Sequence, residues 1–400
     1  MRHRTAVLTR ITAAFAIAGG LLSVVSTPAP AAAQPTLTAA KGQILIGFTT
    51  NYAGSLGAVF GGIQNGFQTY IDHINATGGV NGQKIKIITL NDQGDPASAS
   101  VNFSQLVADG AKMVVANTGS TSYSALTPLA VRDKIPLFGT NVLTTDVQPF
   151  VYGYSSPLPN SMLAELTFAQ KYLLNGKKHV RVAWVNNATA VVPGIQAELN
   201  TKLPSLGWSL VDTEVMPFTA TTFTVQAGKI AAAKPDLIID DEANTTDPTI
   251  DKALRAAGTS APIVETYGGY SPATIALLDD PNFYVFYNYI APSTTSNPGV
   301  KVMLQQAKQA GRTLPDLGTA TGLYLLAKSV VAALKQCGAT CTPVQLNRAL
   351  QTRVTAVNTD GLSPGVGFTS KSHTLAKSGQ FIHASNGQIV NVGKPVQISG

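Results

Sequence analysis

The sequence predicts an α/β protein of two doubly wound lobes. Three observations carry this reading. After residue 42, short β-type runs alternate with helix-period stretches along the whole chain, the pattern of mostly parallel sheets covered by helices. About 365 residues beyond a leader exceed what one core ordinarily holds and favour two units of roughly 150 to 200 residues. In mid-chain, Pro157 and Pro159, with Pro149 just before it, punctuate a loop-like stretch from Phe150 to Pro159, after which the alternation restarts.

The leader comes first. Arg2, Arg4 and Arg10 give a positive start, Ile11 to Val25 is mostly apolar, and Ala31-Ala32-Ala33 precedes Gln34, which is the form of a secretory signal peptide (residues 1–33) cleaved near Ala33. Its apolar part falls short of the roughly 20 residues that span a bilayer. No Cys near the cleavage point offers a thiol for a lipid anchor. The mature chain is therefore expected outside the cytoplasm, in the periplasm or secreted, and unanchored.

The first lobe opens with a strand at Gln43 to Thr49, a Gly-rich loop, and an amphipathic helix from Gly62 to Asn75 with Ile63, Phe67, Tyr70, Ile71 and Ile74 on one face. The turn Ala76-Thr77-Gly78-Gly79 leads to a strand at Lys84 to Leu90, a helix from Pro96 to Asp109, and a strand at Met113 to Ala116. A third helix and the strand Ile135 to Gly139 follow. The second series runs through a helix from Ser161 to Leu174, a strand at Val180 to Asn186, a helix from Gly194 to Gly207, a strand at Trp208 to Pro217, and a helix near Thr224 to Ala233. Strands at Pro235 to Asp240, Ile263 to Tyr267 and Phe283 to Ala291 complete it. Pro292 and Pro298 mark a second crossing, and helices are expected at Val300 to Gly311, Thr319 to Lys335 and Pro343 to Gln351. The tail from Gly379 to Val392 reads as a hairpin turning at Asn386-Gly387. Lobe one is thus expected to comprise residues 42–155 and 292–365, and lobe two residues 156–291 and 366–400.

Composition narrows function. Without the leader, which holds three Arg and no acid, 25 Lys and Arg face 21 Asp and Glu, a net charge of +4. The densest basic run is Lys177-Lys178 followed by Arg181, without the interleaved aromatics of a nucleic-acid surface. The two cysteines, Cys337 and Cys341, are expected to close a small local disulfide in an oxidising compartment. None of the five histidines pairs with another His or Cys at ligand spacing, so no metal and no other cofactor is expected.

The segment Ile74-Asn75-Ala76-Thr77-Gly78-Gly79-Val80-Asn81-Gly82-Gln83-Lys84-Ile85, followed by Asn91-Asp92 and Asp95-Pro96, resembles the branched-chain amino acid binding proteins of ATP-driven importers. The likeness continues at Gly119-Ser120, Ile135-Pro136-Leu137, Pro235-Asp236 and Ser370-Lys371-Ser372-His373. It implies the periplasmic binding protein type I fold, two Rossmann-like lobes joined by three crossings. It also implies a monomer that holds a small ligand between the lobes and meets the permease and ATPase subunits of an ABC transporter at the membrane.

In open α/β sheets ligands sit beyond the carboxyl ends of the strands, and the candidate residues lie there. Asn117 to Ser122 follows a strand and opens a helix, whose N-terminus suits a carboxylate; in the family the Ser matching Ser120 grips the ligand carboxylate, which makes Ser120 and Thr121 the leading site residues. Their hydroxyls could instead cap the helix. Asn141 and Thr144, after the next strand, are either further carboxylate contacts or turn residues. Tyr52 and Tyr267 are candidate pocket walls, or ordinary packing. The pattern departs from the family in lobe two: Val59 and Val191 stand where tyrosines are usual, and Tyr267 or Gly268 where an acid faces the ligand ammonium. A buried ammonium without a counter-charge is costly, so the expected ligand is an amino acid or, more in keeping with these changes, a hydrophobic or aromatic carboxylate. Asp240, Asp241, Glu242 and Glu265 could restore the acid, but are read first as solvent-facing loop acids.

Two other functions compete. An exported hydrolase lacks its chemistry here, since no G-x-S-x-G, H-E-x-x-H or G-x-x-x-x-G-K motif is present. A sensory receptor would use the same clamp, and the residues do not separate it from a transport protein.

Overall fold

The structure is a computed structural model that describes residues 42–52, 54–139, 147–187, 192–217, 220–241, 247–265, 280–289, 297–315, 317–338 and 340–398. Five parallel strands form the first sheet: β1 (Gln43–Thr50), β2 (Lys84–Asn91), β3 (Val114–Asn117), β4 (Leu137–Gly139) and β5 (Val151–Gly153), in the order β2-β1-β3-β4-β5. β1 is buried along nearly its whole length, as a central parallel strand covered on both faces must be. Its side chains alternate accordingly. Ile44, Ile46 and Phe48 pack against helix α1 (Gly54–Ala76), while Leu45 joins a second cluster with α2 (Pro96–Ala108) and α3 (Ser120–Asp133) on the opposite face.

The second sheet has seven strands. These are β6 (Arg181–Asn187), β7 (Ser209–Met216), β8 (Leu237–Asp241), β9 (Ile263–Glu265), β10 (Phe283–Tyr287), β11 (Ser378–Ser385) and β12 (Gln388–Gln397), ordered β12-β11-β10-β9-β8-β6-β7. Strands β6 to β10 run parallel, and β11 and β12 add an antiparallel hairpin at the edge. Helices α4 (Leu158–Phe168) and α5 (Val192–Ser205) cover one face around Trp184, and α6 (Thr224–Ala233) and α7 (Asp247–Ala256) cover the other around Val185. The last helices, α8 (Pro298–Gln309), α9 (Leu317–Cys337) and α10 (Pro343–Arg353), return to the α1 side of the first sheet. A disulfide joins Cys337 to Cys341 between α9 and α10.

Several elements differ from expectation. Helix α1 begins at Gly54 rather than Gly62, because the glycines read as loop formers are contact points: a Cβ on Gly57 would lie 2.4 Å from the Tyr52 carbonyl, and one on Gly61 3.3 Å from the Tyr52 ring. The stretch Phe150 to Pro159, expected as loop, contains β5, which pairs with β4 through Leu137↔Val151. The helix expected to Leu174 stops being α-helical at Phe168 and ends in a π turn, Ala169–Leu173. Helix α7 was not foreseen. Finally, Val366, Phe368, Leu375 and Ala376 pack in the first core, and the chain joins the second sheet only at Ser378, later than the 365/366 boundary of the sequence reading.

Among the described residues, no helix is long and apolar enough to cross a membrane, and no group of three or more His, Cys, Asp or Glu is placed to hold a metal.

Candidate functional site

The carboxyl ends of β1, β2 and β3 are locked together by one buried carboxylate. Asp92 has no exposed surface; its Oδ2 accepts from the Thr49 hydroxyl at 2.8 Å, and its Oδ1 accepts from the Thr118 hydroxyl at 3.1 Å and the Gly94 N–H at 2.8 Å. A buried charge is tolerable when it is fully hydrogen-bonded in this way. Neighbouring Asn91 accepts from the N–H groups of Tyr52 (3.1 Å) and Gln93 (3.0 Å), holding the β2 turn against the end of β1. Asp95 then caps α2 by accepting from the Ser98 N–H, with Pro96 in the first turn, as the Asp-Pro pair led one to expect.

This frame sets the entry to α3. The N-cap is Gly119, and no side chain caps the helix. Ser120 is its first residue and half-buried, and Thr121 next to it is exposed. The capping alternative for these hydroxyls therefore has no support in the geometry. What remains is a helix N-terminus at a strand end, with partial positive charge from aligned peptide dipoles and two hydroxyls beside it. Such an end can receive an anionic oxygen.

Tyr52 stands at the rim of the same end. Its main-chain N–H is held by Asn91, its hydroxyl donates to Gln64 Oε1 at 3.0 Å, and 44% of its surface is exposed. Partial burial pushes its phenol pKa up, so it stays a neutral donor. Gln64 lies on the inward face of α1 and also accepts from Thr50 (3.0 Å) and donates to Thr89 (2.7 Å). Asp92 and Gln64 were missed as site-building residues. For Gln64 the available signal was a polar residue three positions before Phe67 in the buried stripe.

In the second sheet the described acids, Asp240, Asp241 and Glu265, are strand residues and not solvent-facing loop residues. Asp240 and Glu265 have zero exposure and lie inside β8 and β9, where they are direct neighbours in the register. Strand alternation puts both on the face of Ile238 and Ile263. Asp241 points the other way and accepts from Trp184 Nε1 at 2.6 Å. Asp240 and Glu265 both fall within the strands expected at Pro235 to Asp240 and Ile263 to Tyr267; what was not foreseen is that these strand ends are buried. Asn141, Thr144, Val191, Glu242 and Tyr267 lie outside the described residues. Of the candidates, the structure brings Tyr52, Ser120 and Thr121 together at adjacent strand ends, with Thr50 opposite Asn117.

Residues 43–388 match the family model described as periplasmic binding protein. The chain belongs to that family. A Leu/Ile/Val-binding protein, BraC3, of Rhizobium johnstonii is 26% identical over 212 residues, half of this chain and 54% of the relative, so that match spans about half of the relative's length. A Leu/Ile/Val-binding protein homolog of Brucella melitensis biotype 1 is 22% identical over 82% of this chain and 89% of its own length. The fold also matches that of a fatty acid ABC transporter substrate-binding protein from Thermomonospora curvata, at a TM-score of 0.77 and 18% identity, covering 90% of this chain and 93% of that one. The two sheets with helices on both faces are the periplasmic binding protein type I architecture.

Proposed function

We propose that this periplasmic binding protein is exported, binds a small organic acid with an apolar body beyond the strand ends of its two lobes, and delivers it to the permease of an ATP-driven importer. The observation that carries the ligand class is the uncapped N-terminus of α3, flanked by Ser120 and Thr121. The carboxylate docks there, with Tyr52 as a wall of the apolar part. The family relatives named for leucine, isoleucine and valine, and the structural neighbour named for a fatty acid, have ligands that share a carboxylate on an aliphatic chain. In the second lobe Asp240 and Glu265 stand side by side at the ends of neighbouring strands, and the proposal takes this pair of acids as the partner of an ammonium group on the ligand. The ligand is then an aliphatic amino acid despite the valines at positions 59 and 191.

Calorimetry and thermal shift of the chain from Gln34 onward test this against leucine, isoleucine and valine, their deaminated analogues, longer fatty acids and amides. A ligand at a hundredfold excess over its Kd stabilises by about 2.7 kcal/mol. Binding of leucine but not of 4-methylpentanoate supports the acids as the ammonium partner. Binding of both equally assigns them no such role, and no binding by any carboxylate sinks the proposal.

A further inference from the structure

Three stretches of chain pass between the two sheets, and they converge on one residue. Residues 154–157 lead from β5 to α4, the stretch after Tyr287 leads from β10 towards α8, and residues 363–377 lead from the first core to β11. Asn288, at the start of the second stretch, has no exposed surface. Its Oδ1 accepts from the Ser156 N–H at 2.9 Å and lies 3.2 Å from the Ser156 hydroxyl, and its Nδ2 is 3.1 Å from Ser156 Oγ. Its main-chain carbonyl accepts from the Ser363 hydroxyl at 3.4 Å. The side chain thus joins the second crossing to the first, and the carbonyl joins it to the third.

The surrounding bonds follow the same plan. Ser156 Oγ also meets Ser161 Oγ on α4, and the Tyr289 hydroxyl donates to the Tyr154 carbonyl. The Leu375 N–H donates to the Gly153 carbonyl at 2.8 Å, and the Gly153 N–H to the His373 carbonyl at 3.0 Å, lacing the third crossing to the end of the first. Lobe rotation in a two-domain clamp is absorbed by φ and ψ changes in a few connecting residues. A buried amide whose partners all lie on such residues is satisfied at some rotation angles and not at others, and unmaking its bonds away from water is costly.

We propose that Asn288 is the clasp of the hinge, a positioning residue that sets the equilibrium between open and closed arrangements of the lobes. The inference rests on the reading that the lobes close on a ligand. It is tested on the ligand-free protein, so the two readings can fail separately. Dyes are attached through Val101→Cys on α2 and Val225→Cys on α6, both 69% exposed and on different lobes, with the native disulfide intact, and the interlobe distance distribution is read by single-molecule energy transfer. Asn288→Ala is expected to change the ratio of open to closed molecules by about fivefold, the worth of one neutral hydrogen bond. Ser156→Ala, which keeps the Ser156 N–H bond to Asn288 Oδ1, should move it the same way by removing the hydroxyl contacts, and the double variant should add little to Asn288→Ala, since those contacts are already lost there. For any acid that binds, the apparent Kd should change with the closed fraction.

Populations within twofold of the parent in both single variants overturn the proposal, even where the melting temperature falls, because a structural role alone lowers stability without moving the distances. A single distance that no variant shifts overturns it as well. Should Asn288→Ala fail to fold, Ser156→Ala and Ser363→Ala decide the matter by the same criterion. Populations that move in a protein that binds no carboxylate uphold the clasp and reject the ligand.

Discussion

At Asp92 a single side chain does the work of a small scaffold. It accepts from β1, from the entry to α3 and from its own turn, so the position of Ser120 depends on a residue that has no exposed surface. Replacing Asp92 by Asn keeps the shape but turns one acceptor into a donor facing a donor, which should destabilise by about 1–3 kcal/mol and also weaken carboxylate binding. Urea unfolding and calorimetry on the same variant separate the two effects; lost stability with an unchanged Kd would make Asp92 purely structural. Ser120→Ala should behave oppositely, with stability nearly unchanged and affinity for the carboxylate down about tenfold, the worth of one hydrogen bond to a charged oxygen. The place of Ser120, Thr121 and Tyr52 at the strand ends was legible in the sequence because strand, turn and helix N-terminus follow one another there. Asp92 and Gln64 were not, since their partners are as many as 43 residues away in the chain. Nor was the burial of Asp240 and Glu265, because an acid at the end of a strand reads the same in sequence whether that end is covered or open to solvent.

Elements with strong local signals appear where the sequence puts them. The Asn386-Gly387 turn adopts positive φ at both residues (52° and 70°), and the hairpin it closes pairs Ser385 with Gln388 at the edge of the second sheet. The capping box at Thr342 and Gln345 starts α10 behind Pro343. The start of α1 was misread because glycine has two uses, conformational freedom and close approach, and only tertiary structure tells them apart. The distinction has a measurable consequence. Gly66→Ala puts a Cβ 2.0 Å from the Ala320 carbonyl and should separate α1 from α9 at a cost of about 1–3 kcal/mol, typical of overpacking. Gly228→Ala, in α6, meets nothing within 4 Å and should stabilise by about 0.4–1 kcal/mol through helix propensity and a less flexible unfolded chain. Denaturant midpoints of equal sign for the two variants would refute this account of the glycines.

Across the whole molecule, stability is tied to pH by groups far from the candidate site. Asp251 on α7 is pushed up from 3.8 to about 7 by burial and by the adjacent carboxylate of Asp280. Asp280 stays the ionised member: although burial opposes its charge, the Asp251 carboxyl, the Asn282 N–H and Arg255 hold it low. Lys377, on the last crossing, is depressed from 10.5 to about 8 by burial. The signs differ. A carboxyl with a raised folded pKa contributes stability that is present at low pH and lost as pH rises from about 4 through about 7. A lysine with a lowered folded pKa weakens the fold while it is charged, and that loss is relieved as pH rises from about 8 towards 10.5. The two terms together leave a trough of stability near pH 7 to 8. His373, whose pKa burial lowers, acts against the Asp251 term below its ordinary 6.5, so the informative quantity is the difference in melting temperature between parent and variant across pH. Asp251→Asn should flatten the limb between pH 5 and 7 and leave the alkaline side unchanged. Lys377→Met should raise the melting temperature at pH 7 and narrow its advantage by pH 9.5, because the parent lysine has by then shed the charge that its setting disfavours. A parent-to-variant difference for Lys377→Met that stays constant from pH 7 to 9.5 would mean that the ammonium group is as well accommodated at the crossing as in water, and that the lysine takes no part in the trough.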